Sequence, residues 1–113
     1  MTLVVVNNTL IAKIDGDMDH HAAGIARHKI DKEIRNRPVK NLVFDFNELE
    51  FMDSSGVGMI LGRYKLIKGL NGRVFIARPN ATVEKIINIS GLHKIIPVYD
   101  NIDKAIENVC EVK

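Results

Sequence analysis

The residues best suited to covalent chemistry stand together in Asp53-Ser54-Ser55-Gly56, two hydroxyls between an aspartate and a glycine-rich run. A serine hydroxyl attacks an acyl group when a nearby base takes its proton, and it accepts a phosphoryl group when a kinase supplies one. The first chemistry favours a Gly-x-Ser-x-Gly elbow, and Met52-Asp53-Ser54-Ser55-Gly56 lacks its first glycine. Asp19, His20 and His21 are the residues from which a base would come, so a Ser54-dependent hydrolase stands as one alternative. Asp53 has a simpler reading as a helix N-cap, its carboxylate accepting from the N–H of Ser55 or Gly56. Ser54 and Ser55 are then the first two helical residues.

Other patterns fail on spacing. Gly56-Val57-Gly58 opening a helix suggests a small nucleotide-binding module, but Gly62 falls one residue late for Gly-x-Gly-x-x-Gly and no Gly-Lys-Ser/Thr loop exists. Asp15-Gly16-Asp17-Met18-Asp19 has the look of a calcium loop, yet its twelfth position is Ala26 where a bidentate glutamate is required. Adjacent residues diverge on a helix, so His20 and His21 do not make a ligand pair, and His28 and His93 are isolated. No metal or cofactor is expected. Cys110 is the only cysteine, which excludes an internal disulfide and points to an inert thiol.

Composition narrows the classes further. The 113 residues are 46% hydrophobic, enough for one packed core, and 16 basic against 14 acidic side chains leave a formal charge of +2. Scattered basic residues, 5% aromatics and no tryptophan argue against nucleic acid. Met-Thr-Leu-Val-Val-Val is neither a leader nor a membrane span, so a soluble, cytoplasmic protein without membrane contact is expected.

The elements that must position the serines read clearly. Leu3 to Val6 and Leu10 to Ile14, split by Asn7-Asn8-Thr9, predict a hairpin. A helix follows from about His20 to Arg37, with Asp19 as cap and Pro38 closing it. Val39 to Phe46 predicts a strand, Ser54 to Lys68 a helix, Arg73 to Ala77 a strand, and the stretch from Asn80 to Gly91 a helix. Ile95 to Tyr99, despite Pro97, predicts an edge strand, and Ile102 to Val109 a last helix. The alternation predicts an α/β fold, one domain over 1–113. Its mostly parallel five-stranded sheet, with the first strand antiparallel, is covered by about four helices.

Within the helix after Ser54, Val57, Ile60, Leu61, Tyr64 and Ile67 share one face, read as the core side. The opposite side carries Ser55, Met59, Gly62 and Leu66, uncharged where a solvated stripe would carry charge, which suggests a docking surface. Gly56, Gly58 and Gly62 each cost about 1 kcal/mol relative to alanine unless close approach demands them.

The run from Phe51 to Lys65, with Gly16-Asp17-Met18-Asp19-His20-His21 and Ser90-Gly91-Leu92-His93-Lys94-Ile95-Ile96, resembles the STAS family. It is similar above all to the family's anti-sigma-F factor antagonists of spore-forming bacteria. Asp17 and Met18 are conservative departures from the family's Glu and Leu. The resemblance implies a STAS-like domain that is not an enzyme: unmodified, it binds an anti-sigma factor, a serine kinase with bound ADP or ATP, and so releases a sigma factor controlling sporulation transcription. It implies Ser54 as the phosphorylation site that switches binding off, and a serine phosphatase that restores it. It also places Asp19 near the acceptor, and the partner surface is then expected to take in Asp19, Asp53, Ser54, Ser55, Gly56, Gly58, Met59 and Gly62.

Overall fold

The computed structural model describes residues 1–110, with side chains through Asn108; the expected inert thiol of Cys110 lies outside them. Two β-branched runs open the chain as β1 (Thr2–Val6) and β2 (Thr9–Lys13), an antiparallel hairpin in register from Thr2↔Lys13 to Val6↔Thr9. Its turn holds Asn7 at φ 58, a left-handed conformation that asparagine tolerates. There follow β3 (Gly16–Met18), α1 (His20–Asn36), β4 (Asn41–Asp45), β5 (Leu49–Met52), α2 (Ser54–Gly69) and β6 (Val74–Ala77). The chain continues through α3 (Ala81–Ser90), β7 (Val98–Tyr99) and α4 (Ile102–Cys110).

The main sheet has the order β1-β2-β4-β6-β7, with every pair parallel except the hairpin. This is the expected mixed five-stranded sheet with four helices. The central strands β4 and β6 are buried at every position, which is why Leu42-Val43-Phe44 and Val74-Phe75-Ile76-Ala77 are continuous apolar runs rather than alternating ones. On one face, Leu10, Leu42, Phe44 and Ile76 join Ala26 and Ile30 of α1, Ile60 and Ile67 of α2, and Val83 and Ile87 of α3. On the other, Val43, Phe75 and Ala77 pack with Ala105 of α4.

Two expectations need correction. The last strand does not run from Ile95: Leu92–Lys94 forms a single 3₁₀ turn and only Val98–Tyr99 pairs with β6, while Pro97, which has no N–H, serves through its carbonyl to Ile76. The segments around Asp17 and Phe51, to which the sequence pattern assigned no strand, are β3 and β5, a second parallel sheet of two strands.

One charged side chain is buried in the strands. Asp45, 2% exposed at the end of β4, receives both Arg78 Nε at 3.0 Å and Nη2 at 2.9 Å. Burial pushes its carboxyl up, but the Arg78 hydrogen bonds, the Asn47 N–H and the charges of Arg78 and Lys13 outweigh it and hold the group below its ordinary range.

Candidate functional site

The two-stranded sheet aligns two helix starts. Met18 of β3 pairs with Met52 of β5, and both side chains are fully buried. The next residue in each strand, Asp19 and Asp53, is the N-cap of a helix. Asp19 accepts from the Ala22 N–H at 2.9 Å, and one oxygen of Asp53 accepts from Ser55 N–H at 2.8 Å and Gly56 N–H at 3.4 Å. The Asp53 N–H donates back to the Met18 carbonyl at 3.3 Å. Neither helix has an acid in its first turn, so these two cap carboxylates alone meet the positive ends of the helix dipoles. Gly56 is required here: a Cβ on it would stand 2.9 Å from the Met52 Cβ and 3.3 Å from the Met18 carbonyl oxygen, holding α2 off the ribbon.

The two serines diverge, as successive helical residues must. Ser54 is exposed, and its hydroxyl makes no hydrogen bond among the described residues. It stands at the rim of a shallow concavity formed by Phe51, Val57, Ile86 and Ile89. Ser55 is half-buried and turns to the other side, into a groove between α1 and α2 that it lines with His20, Gly24, Arg27, Gly58 and Gly62. There its Oγ lies 3.4 Å from His20 Nδ1. His21 instead lines a neighbouring hollow on α1 with Ile25 and His28. The histidines named as a source of a base are therefore brought to Ser55 or to neither serine.

Met59 is not on an outer face. It is 5% exposed and belongs to the main core cluster, with Gly56, Ile60 and Ile67 as the other buried positions of α2. Val57, Leu61 and Tyr64 are only partly buried. The core-facing side of α2 is thus turned toward Gly56 and Met59 from the one drawn through its largest side chains. The cause is physical: Gly56 sits against the ribbon, and Met59 lies at the groove between α1 and α2, among Ala23, Gly24 and Arg27 of α1, rather than on an outer face. Of the expected outer residues, Leu66 is exposed and Gly62 and Ser55 are half-buried.

Gly58 and Gly62 differ from Gly56. A Cβ built on either meets nothing within 4 Å, so no neighbour in the chain explains them. Beyond them Arg63 ties α2 to α1, its Nε 2.9 Å from Asp31 Oδ1, in a geometry that gives charge attraction without a hydrogen bond. Desolvation draws the guanidinium of Arg63 below its ordinary value, with Asp31 opposing that shift.

Three side chains beside Ser54 escaped the sequence reading of the site. Phe51 is 45% exposed, Ile89 78% exposed, and Ile86 half-buried, so apolar surface from β5 and α3 meets at the start of α2. A signal existed: Ile86-Ile87-Asn88-Ile89 puts isoleucines on more of a ten-residue helix than one face can bury, and only Ile87 is buried. Among the described residues no three His, Cys, Asp or Glu side chains come together to hold a metal, and no helix is long and apolar enough to cross a membrane.

Comparison with known proteins places this geometry. The family model described as the STAS domain matches residues 1–105. An anti-sigma F factor antagonist from Paenibacillus polymyxa is 42% identical over 92 residues, 81% of this chain and 79% of that protein. The solved structure of the anti-sigma factor antagonist SpoIIAA in its unphosphorylated form superposes with a TM-score of 0.87 at 34% identity, covering 99% of this chain and 97% of the other. The phosphorylated form of the Bacillus cell fate determinant SpoIIAA, also 34% identical, superposes with a TM-score of 0.76 over 96% and 97% of the two chains. The chain belongs to the STAS domain family and stands with its anti-sigma factor antagonists.

Proposed function

We propose that this protein is a partner switch: unmodified, it docks on an anti-sigma factor that is also a serine kinase carrying ADP or ATP, and so frees a sigma factor for sporulation transcription. Phosphorylation of Ser54 ends the docking and a serine phosphatase restores it. The protein is a substrate of both enzymes and a catalyst of neither, and it works in the cytoplasm. One observation carries the reading. Ser54 presents an unbonded, exposed hydroxyl at the first helical position of α2, on the rim of an apolar concavity open to a partner. The relatives' phosphorylated and unphosphorylated forms support it.

The physics of the switch favours binding over shape as its target. A phosphate brings a charge of about −1.5 to −2. At a helix start it gains roughly 0.3–1 kcal/mol, and repulsion from the Asp53 carboxylate opposes that gain on a similar scale. Folding is therefore little changed. Pressed against the apolar surface of Phe51 and Ile89 under a docked partner, the same charge is left unpaired, at a cost of several kcal/mol.

The test is a titration of the anti-sigma factor into the unmodified protein, Ser54→Ala and Ser54→Asp. Ser54→Ala is expected to bind within a few-fold of the unmodified protein and to take no phosphate. Ser54→Asp is expected to bind at least about 100-fold more weakly, a loss of about 3 kcal/mol, with its melting temperature nearly unchanged. Equal binding by the two variants rejects the reading.

A further inference from the structure

Two hydroxyls stand side by side at the start of α2, yet the structure treats them differently. Ser54 is exposed and unbonded beside Phe51 and Ile89, whereas Ser55 is half-buried and faces the α1–α2 groove with its Oγ 3.4 Å from His20 Nδ1. We propose that His20 is a specificity-determining positioning residue: by holding the Ser55 hydroxyl in the groove, it confines phosphorylation to Ser54. This rests on the reading of Ser54 as a phosphoryl acceptor and adds the reason that its neighbour is not one.

The placement of His20 follows from the register of the ribbon. Met18↔Met52 pairing sets Asp19 beside Asp53, so the first helical residue of α1 reaches the second helical residue of α2. Asp19 and Asp53 each turn one oxygen to backbone N–H groups, and the imidazole of His20 is the side-chain partner of the Ser55 hydroxyl among the described residues. His20 is itself exposed, so its interaction is a local restraint rather than a support of the core.

Phosphoryl transfer from ATP forms a bond between phosphorus and the serine Oγ, breaks the bond from the γ-phosphorus to the bridging oxygen, releases ADP, and passes the hydroxyl proton to a base on the kinase. The attacking oxygen must lie in line with the leaving oxygen. Ser55 can compete only after its hydroxyl leaves His20 and turns out of the groove. Loss of one hydrogen bond makes that excursion about fivefold more frequent.

The experiment is phosphopeptide mapping by mass spectrometry after incubation of the whole protein with the anti-sigma factor kinase and ATP. The set comprises the unmodified chain, His20→Ala, His20→Gln, Ser54→Ala and the double variant His20→Ala with Ser54→Ala. The unmodified chain is expected to carry phosphate on Ser54 alone, and Ser54→Ala to carry none. His20→Ala is expected to make phosphate on Ser55 detectable beside that on Ser54, from a turned-out Ser55 population about fivefold larger than in the unmodified chain, and the double variant to be phosphorylated on Ser55. His20→Gln, which keeps a hydrogen-bonding group at the site, is expected to return the phosphate to Ser54 alone. A Ser55 share that stays unchanged in both His20→Ala chains, while Ser54 is phosphorylated in the unmodified protein, overturns the role of His20 and leaves the proposed function standing. Absence of phosphate from the unmodified chain overturns both.

Discussion

α2 and α3 pack on the same face of the main sheet and each starts at a polar N-cap, yet the chain treats the two entrances differently. At α3 the polar groups are turned inward. Asn80 accepts from the Val83 N–H at 2.8 Å and donates to the carbonyls of Leu49 at 3.1 Å and Glu50 at 3.3 Å. Arg78, just upstream, gives its N–H to the Tyr99 carbonyl and its guanidinium to Asp45. At α2 the cap Asp53 is equally well used, but the Ser54 hydroxyl is left free, Gly58 and Gly62 hold open space, and Phe51 and Ile89 face outward. The difference separates a helix start built for folding from one that carries features folding does not need.

Substitutions at the two entrances should therefore move different observables. The largest effect on stability is expected from Arg78→Ala, which leaves the Asp45 carboxylate buried without its main partner: about 2 kcal/mol at neutral pH, allowing for the partial exposure of Arg78. The effect carries a pH signature. Asp45 has its folded pKa depressed, so its contribution is complete above the unfolded value of about 3.9 and is lost as pH falls through the folded value. Urea melts of the parent and Arg78→Ala should differ most at neutral pH and converge below about pH 4. A gap that persists in acid would detach the effect from Asp45.

Asn80→Ala is expected to cost about 1–2 kcal/mol, for the lost cap and the two β5 carbonyls it releases. Thermal melts measure it. The smallest effect has the opposite sign. Gly62→Ala fills open space in a helix interior and should stabilise the fold by about 0.5–1 kcal/mol in the same assay, while weakening binding to the anti-sigma factor. If Gly62→Ala destabilised the protein, or left binding untouched, the contrast between the two entrances would lose its α2 side.

Much of the architecture was legible because its signals are local. Asp19, Asp53, Asn80 and Gly91 mark helix ends by their own chemistry, and each sits where it was expected, with Gly91 closing α3 at φ 82. What stayed hidden depends on contacts between distant segments. Gly16–Met18 and Leu49–Met52 form strands only because they pair with each other across a register break, and neither run has a pattern of its own. Met59 was misplaced for a related reason: a wheel weighted by side-chain size points toward Val57 and Tyr64, whereas the close approach of α2 to the small sheet is made by Gly56, which has no side chain to weigh. The Ser54 segment was recognisable from its motif, but its apolar surroundings come from β5 and α3 and required the fold to be assembled.

The paired methionines of the small sheet act as a spacer gauge. Each residue of a strand advances the chain by about 3.3 Å, so one residue inserted between Leu49 and Met52 would slide the start of α2 past the start of α1 by that distance. The five-stranded sheet would not register the change, since neither β3 nor β5 belongs to it. His20 and Ser55 would part company, and because Met18, Leu49 and Met52 are buried in the main core, the slip would also turn core side chains outward. Length in this short ribbon is thus fixed by core packing and by the alignment of the two helix starts together.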